Sequence, residues 1–189
     1  MKATTGDQVP ITLTTARLRL RPWRLEDLAP FRALNADARV MEHFPKVLTE
    51  QESDRQAAGI ADHMQKHGFG SWAVEVIGVA DFAGFVGLSI PTFEAHFTPC
   101  VEVGWRLAFD HWGHGYATEA ARAAVDCGFG RLGLEEIVAF TVPANWRSIR
   151  VMEHLGMTRS AAEDFNHPRL PAGHPLRRHV LYRLRRQSH

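Results

Sequence analysis

The chain of 189 residues has only two cysteines, Cys100 and Cys127, and no CxxC pair. So few thiols in so long a chain exclude a disulfide-stapled secreted fold. Net charge is also missing: 22 Lys and Arg stand against 21 Asp and Glu, a formal +1. No bulk basic field exists to recruit nucleic acid. Long hydrophobic runs are absent as well. The most apolar region, 69–93, is broken by Glu75, Asp81 and five glycines or prolines, and nothing approaches the roughly 20 apolar residues of a membrane span. The opening MKATTGDQVP holds no apolar signal-peptide core. These absences predict a cytoplasmic protein without nucleic-acid or membrane partners. There are no repeats and no low-complexity tracts. With 45% apolar and 23% charged residues, the chain has ordinary globular composition. A loose tail is expected over residues 1–10, and a single domain over 11–189.

What is present reads as alternating element types. ITLTTARLRLRPW alternates apolar and polar residues and predicts a first strand. RLEDLAPFRALNAD carries Leu25, Leu28, Phe31 and Leu34 at helical spacing, and ARVMEHF predicts a short helix after it. The next helix starts at Thr49 and Glu52, spaced as a capping box, and stops at Gly68. Three strands follow in GSWAVEVI, FAGFVGLSI and CVEVGWRLA, then a helix over about 115–129, the apolar strand EEIVAFTV, a helix NWRSIRVMEHLG capped by Asn145, and a last strand in HVLYRLRR. Meander strands first and a strand–helix–strand crossover second make a mixed α+β domain.

The stretch HWGHGYAT at 111–118 lies between a strand and a helix. Helix starts offer unpaired N–H groups and a positive dipole end, and Gly113 and Gly115 clear the approach to them. A P-loop needs GxxxxGK[ST], which is absent. A Rossmann turn needs a third glycine where Thr118 stands. Alone, the stretch fits either a ligandless tight turn or an anion cradle.

Further motifs accompany it. TARLRLRPW near the start, VEVGWRL in the fourth strand, WGHGYATEA at the turn and NWRSIRVMEHLGM after it span residues 15–158. With these motifs the chain resembles the GNAT superfamily of acyl-CoA-dependent N-acetyltransferases, nearest its ribosomal-protein N-terminal acetyltransferase branch. The resemblance implies a single α+β domain with a mostly antiparallel, twisted sheet of six to seven strands and about four helices, splayed between the fourth and fifth strands. It implies acetyl-CoA as co-substrate. Backbone amides of Trp112, Gly113, His114, Gly115, Tyr116, Ala117 and Thr118 would hold the pyrophosphate. Trp105, Arg106 and Leu107 would pair with pantetheine, and Asn145 and Ser148 would face the cofactor arm. Trp112 departs from the family pattern, which places a polar residue there. HLGM lacks the tyrosine that often serves as acid, so Ser148 takes that role. The acceptor would be a primary amine, a protein or peptide N-terminus first. Small amines such as polyamines or aminoglycosides are the alternative, and a non-catalytic acyl-CoA sensor is the third reading.

Glu102 is the candidate base. It shares a strand face with Gly104 and Arg106, opposite Val101, Val103, Trp105 and Leu107. An edge position or a salt bridge to Arg106 would explain the carboxylate structurally. Burial would instead raise its pKa and fit it for base work, directly or through a water. A free α-amine with pKa near 8 is about a tenth neutral at pH 7, whereas a lysine near 10.4 is almost wholly charged. α-Amine chemistry therefore asks less of the base.

The remaining features point elsewhere. Eleven histidines show no ligand spacing beyond His63 and His67, so no metal site is expected. The basic RRHVLYRLRR reads as an edge strand with arginines on its wet face, or as a contact to the 3′-phosphate of coenzyme A. Trp23, Phe31, Phe44 and Trp72 read as core or as an acceptor groove. The 91–99 loop, with two phenylalanines, reads as a substrate-site lip. Monomer and homodimer stay equally open.

Overall fold

The computed structural model describes residues 11–186. The tail expected over 1–10 and residues 187–189 of the expected domain lie outside them. The alternating run at 11–23 turns back on itself. Leu13–Thr14 (β1) and Leu18–Arg21 (β2) pair antiparallel, and the turn between them is closed by the Thr15 N–H donating to the Leu18 carbonyl at 2.9 Å. Ser71–Val76 (β3), Ala80–Ser89 (β4) and Glu102–Leu107 (β5) follow as an antiparallel meander. Glu136–Thr141 (β6) joins parallel to β5. Arg178–Arg185 (β9) pairs with β6, and the two-residue strands Thr158–Arg159 (β7) and Phe165–Asn166 (β8) pair with β9.

The sheet order is β1-β2-β3-β4-β5-β6-β9-β7, with β8 also on β9. That gives nine strands among the described residues, not six to seven. The excess comes from the split first run and from β7 and β8, which are too short to show a period of two. The C-terminal strand is not an edge either. β9 lies between β6 and β7. Arg183 meets Glu136 and Glu163, and Arg185 meets Glu136, at 2.5 to 2.9 Å. Arg183 and Arg185 are thus matched by carboxylates.

Four α-helices stand among the described residues: Leu28–Ala36 (α1), Glu50–His67 (α2), Tyr116–Gly130 (α3) and Trp146–His154 (α4). The α2 capping box forms: the Glu52 N–H donates to Thr49 Oγ1 and the Thr49 N–H to Glu52 Oε2. Gly68 ends the helix in the left-handed region, at φ +73°. The short helix expected in ARVMEHF does not form. Residues 38–43 are hydrogen-bonded turns, with the Met41 N–H on the Asp37 carbonyl and the Phe44 N–H on the Met41 carbonyl. Asp37 accepts from the Arg39 N–H at 2.9 Å and Pro45 follows, so there is no room to propagate a helix.

The sheet has helices on both faces. α3 and α4 cover one face, where Ala120, Ala121 and Ala124 are fully buried against β-strand residues such as Leu20, Val86 and Val103. The fit is close: a Cβ on Gly128 would stand 2.7 Å from Ile137 Cδ1. α1 and α2 cover the other face through Phe31, Leu34 and Ala57, packed with Phe85. Among the described residues the β6 and β9 side chains on that face belong to a separate cluster. There the 91–99 loop does the covering, with Phe93 and Phe97 packed on Val138, Phe140, Phe165 and Leu181. Phe97 is buried, so the loop is a core cover and not an exposed lip.

Candidate active site

β4 and β5 are in register over six residue pairs, whereas β5 and β6 share a single one, Glu102 with Val138. One further bond, from the Val138 N–H to the Val101 carbonyl at 2.9 Å, closes that end. Past it the strands separate. The expected splay between the fourth and fifth sequence-predicted strands therefore lies between β5 and β6. It opens into a cleft of about 760 Å3.

Strand alternation decides which backbone groups face this cleft. The Val101 carbonyl bonds toward β6 and the Ala108 N–H toward β4, at Ala83. Val103, Trp105 and Leu107 thus turn their backbone groups to the cleft, and Arg106 turns its own to β4. The expected pantetheine pairing by Arg106 has no backbone group available. The Leu107 carbonyl is already taken, by Trp112 Nε1 at 2.8 Å. This bond explains the departure at position 112: the indole pins the turn to the end of β5, and Arg147 stacks over its ring at 5.1 Å.

At the turn, Gly113 and Gly115 sit at φ +79° and +80°, which only glycine adopts without strain. Gly115 is the N-cap of α3 and no side chain caps the helix. The first-turn amides of Tyr116, Ala117 and Thr118 lack intrahelical acceptors, and all three residues line the cleft. His114 alone among the expected site residues does not line it. Its carbonyl accepts from Arg17 Nη1 at 2.9 Å and its ring stacks on Tyr116. Arg17 also reaches Glu119, with Nε donating to Oε2 at 2.7 Å, so the acidic residue in the first helical turn is neutralised. α4 starts beside this turn. Asn145 Oδ1 accepts from the Ser148 N–H at 3.2 Å and Asn145 Nδ2 donates to Thr141 Oγ1 at 3.0 Å. Asn145 and Ser148 both line the cleft.

Glu102 lies at the closed end, opposite Ser89 on β4. Burial pushes its carboxyl up to about 8, against the pull of the Ser89 hydroxyl. It forms no ion pair with Arg106 among the described residues. The Arg106 Nη1 donates instead to Asn35 Oδ1 at 2.6 Å and Gln56 Oε1 at 3.4 Å.

Sequence reading did not single out several cleft residues. Arg147 and Arg150 flank Trp146 on α4, their Cζ atoms 4.7 and 5.7 Å from its ring; their spacing from the Asn145 cap was the available signal. Arg39 and His43 come from the turns at 38–43, where no periodicity marks them. His167 and His179 form another wall, their rings 5.1 Å apart. Burial pushes both rings down, His167 to about 4. His63 has both nitrogens engaged, with the Ile90 N–H on Nε2 and Nδ1 on the Phe69 carbonyl. No cluster of three metal-ligating side chains occurs among the described residues.

The arrangement suits a thioester of a nucleotide carrier: a cradle of free amides, a cleft flanked by arginines, a strand edge and a carboxylate of high pKa. Comparisons with known proteins agree. The model of the acetyltransferase (GNAT) domain matches residues 17–158. The Bacillus subtilis (strain 168) protein YkkB is 32% identical over 146 residues, 77% of this chain and 84% of its own. The Aspergillus fumigatus FsC-acetyl coenzyme A-N(2)-transacetylase is 35% identical over 156 residues, 78% of this chain and 65% of its own. Mycobacterium smegmatis RimJ, solved with CoA-disulfide, shares the fold at a TM-score of 0.74 and 20% identity, covering 94% of this chain and 88% of its own. The chain belongs to the GNAT acetyltransferase family and is an acyl-CoA-dependent N-acetyltransferase.

Proposed function

We propose that the chain transfers acetyl from acetyl-CoA directly to the α-amine of a protein or peptide. The observation that carries this is the position of Glu102 in the cleft that also holds the amide cradle and Ser148. The free amides at the start of α3 take the pyrophosphate, with Arg147 and Arg150 adding charge beside them. Trp105 offers the open strand edge to pantetheine. Glu102, with its pKa near that of an α-amine, takes the proton as the amine nitrogen attacks the thioester carbonyl. The C–S bond breaks, and Ser148 gives a proton to the departing thiolate. The setting is cytoplasmic, in keeping with two free cysteines; no helix among the described residues is long and apolar enough to cross a membrane. A small-molecule amine is the second reading, favoured by the likeness to the fungal transacetylase.

The test is release of free thiol from acetyl-CoA across N-terminal peptides, polyamines and aminoglycosides. Peptides are expected to give the highest kcat/KM, and Glu102→Gln to lower it about 100-fold or more. Unchanged turnover in that variant removes Glu102 as base. No release with any amine, while CoA still binds, favours a non-catalytic sensor.

A further inference from the structure

Among the described residues two arginines are buried, Arg21 and Arg106. They are treated differently. Arg21 is matched by Asp27, with both Nη atoms on its carboxylate at 2.8 Å, and by Glu75 at 3.3 Å. Arg106, 8% exposed, meets no carboxylate among the described residues. Its hydrogen bonds run only through Nη1, to the neutral amides of Asn35 and Gln56. Its Nε is buried with no partner. The Phe44 and Phe85 rings flank the guanidinium at 4.2 and 5.3 Å, so hydrogen bonding is left to its edge.

An unmatched buried cation is costly, and an orphaned buried donor implies a partner that arrives later. Burial alone pushes Arg106 down to about 10, with nothing pulling it back. The planar fork of a guanidinium suits a carboxylate above other partners. Arg106 and Phe44 both line the cleft, and Phe44 is 37% exposed.

Arg106 shares its strand face with Glu102. Four residues of strand separate their Cα atoms by roughly 13 Å. Between them lies Gly104, where a Cβ would meet nothing nearer than Glu102 Oε1 at 3.9 Å. The face is thus a slot with a base at one end, a bare floor, and an unmatched guanidinium at the other. An extended dipeptide spans about 7 Å and a tripeptide about 10 Å, lengths that fit inside this strand separation, and the Glu102 carboxylate already reaches toward Gly104.

We propose that Arg106 is the anion receptor of the acceptor site, so that the acceptor is a primary amine carrying a carboxylate one to three residues from its nitrogen. This rests on the acetyltransferase reading above and narrows its substrate. The carboxylate comes from a free C-terminus or from an acidic side chain near the N-terminus.

Titration calorimetry on the CoA-saturated protein tests it with four probes. Ala-Ala with a free C-terminus and Ala-Asp-amide carry the charge; Ala-Ala-amide and Ala-Asn-amide lack it. At least one charged probe is expected to bind about 10-fold tighter than its neutral counterpart, and which one does identifies the source. Arg106→Gln should erase the difference while CoA affinity holds, and Arg106→Lys should keep part of it. Should Arg106→Gln fail to fold, Phe44→Leu, at an exposed position, should still weaken the charged probe several-fold. The proposal is overturned if charge makes no difference, if no probe binds, or if Arg106→Gln weakens CoA instead. Preference without thiol release would sink the transferase reading and leave the receptor; equal thiol release from all four probes would do the reverse.

Discussion

At the scale of single residues, Glu102 links stability to proton uptake. An ordinary glutamate titrates near 4.3, and burial carries this one to about 8. Because the folded pKa is raised, the folded chain binds the proton more tightly than the unfolded one. That stabilisation is complete below about 4.3 and is lost as pH rises to about 8. Glu102→Gln cannot ionise and escapes the loss. Urea unfolding should find the variant close to wild type at pH 5 and more stable by on the order of a few kcal/mol at pH 9. Parallel stability–pH curves for the two proteins would mean the carboxyl titrates normally. Glu102 was legible in sequence because a lone carboxylate interrupts an apolar strand. The isolation of Arg106 was not, since its partner Asn35 lies 71 positions away and only the fold shows that it meets no carboxylate among the described residues.

At the scale of elements, the turn before α3 depends on two left-handed glycines. Gly113→Ala meets no atom within 4 Å, so its penalty is backbone strain at φ +79°, roughly 1–2 kcal/mol. Denaturant midpoints should fall accordingly, and CoA affinity should drop about 10-fold as the amides tilt. If CoA affinity is unaltered, the turn is not the phosphate cradle. Caps were the most readable elements: Thr49 with Glu52, Gly68 and Asn145 all act locally, within three or four residues. The burial of the 91–99 loop is not legible locally because its cover, Phe165 on β8, is a tertiary contact. The helix expected from ARVMEHF stops at turns because Pro45 ends the run after little more than one turn.

At the scale of the whole molecule, Arg21 ties distant pieces together. It joins β2 to Asp27 before α1, to Glu75 on β3 and to the Asp81 carbonyl on β4. Asp27→Asn would leave the buried guanidinium with Glu75 as its one carboxylate. Breaking such a pair costs about 3–5 kcal/mol, and chemical denaturation should register a loss near the lower figure. A loss below about 1 kcal/mol would assign the burden to Glu75.

β9 is the ninth strand in chain order yet fills an inner place in the sheet, between β6 and β7. During synthesis the chain emerges from its N-terminus, and β1 to β5 can meander together as they appear. β6 then waits with one side held by the single pairing to β5 and the other open, until residues 178–185 arrive. The cleft wall at His167 and His179 waits with it. A nascent chain short of residue 178 therefore has the turn at 111–118 but neither the settled far strand nor the closing wall. Completion of the cleft is timed to the arrival of residues 178–185.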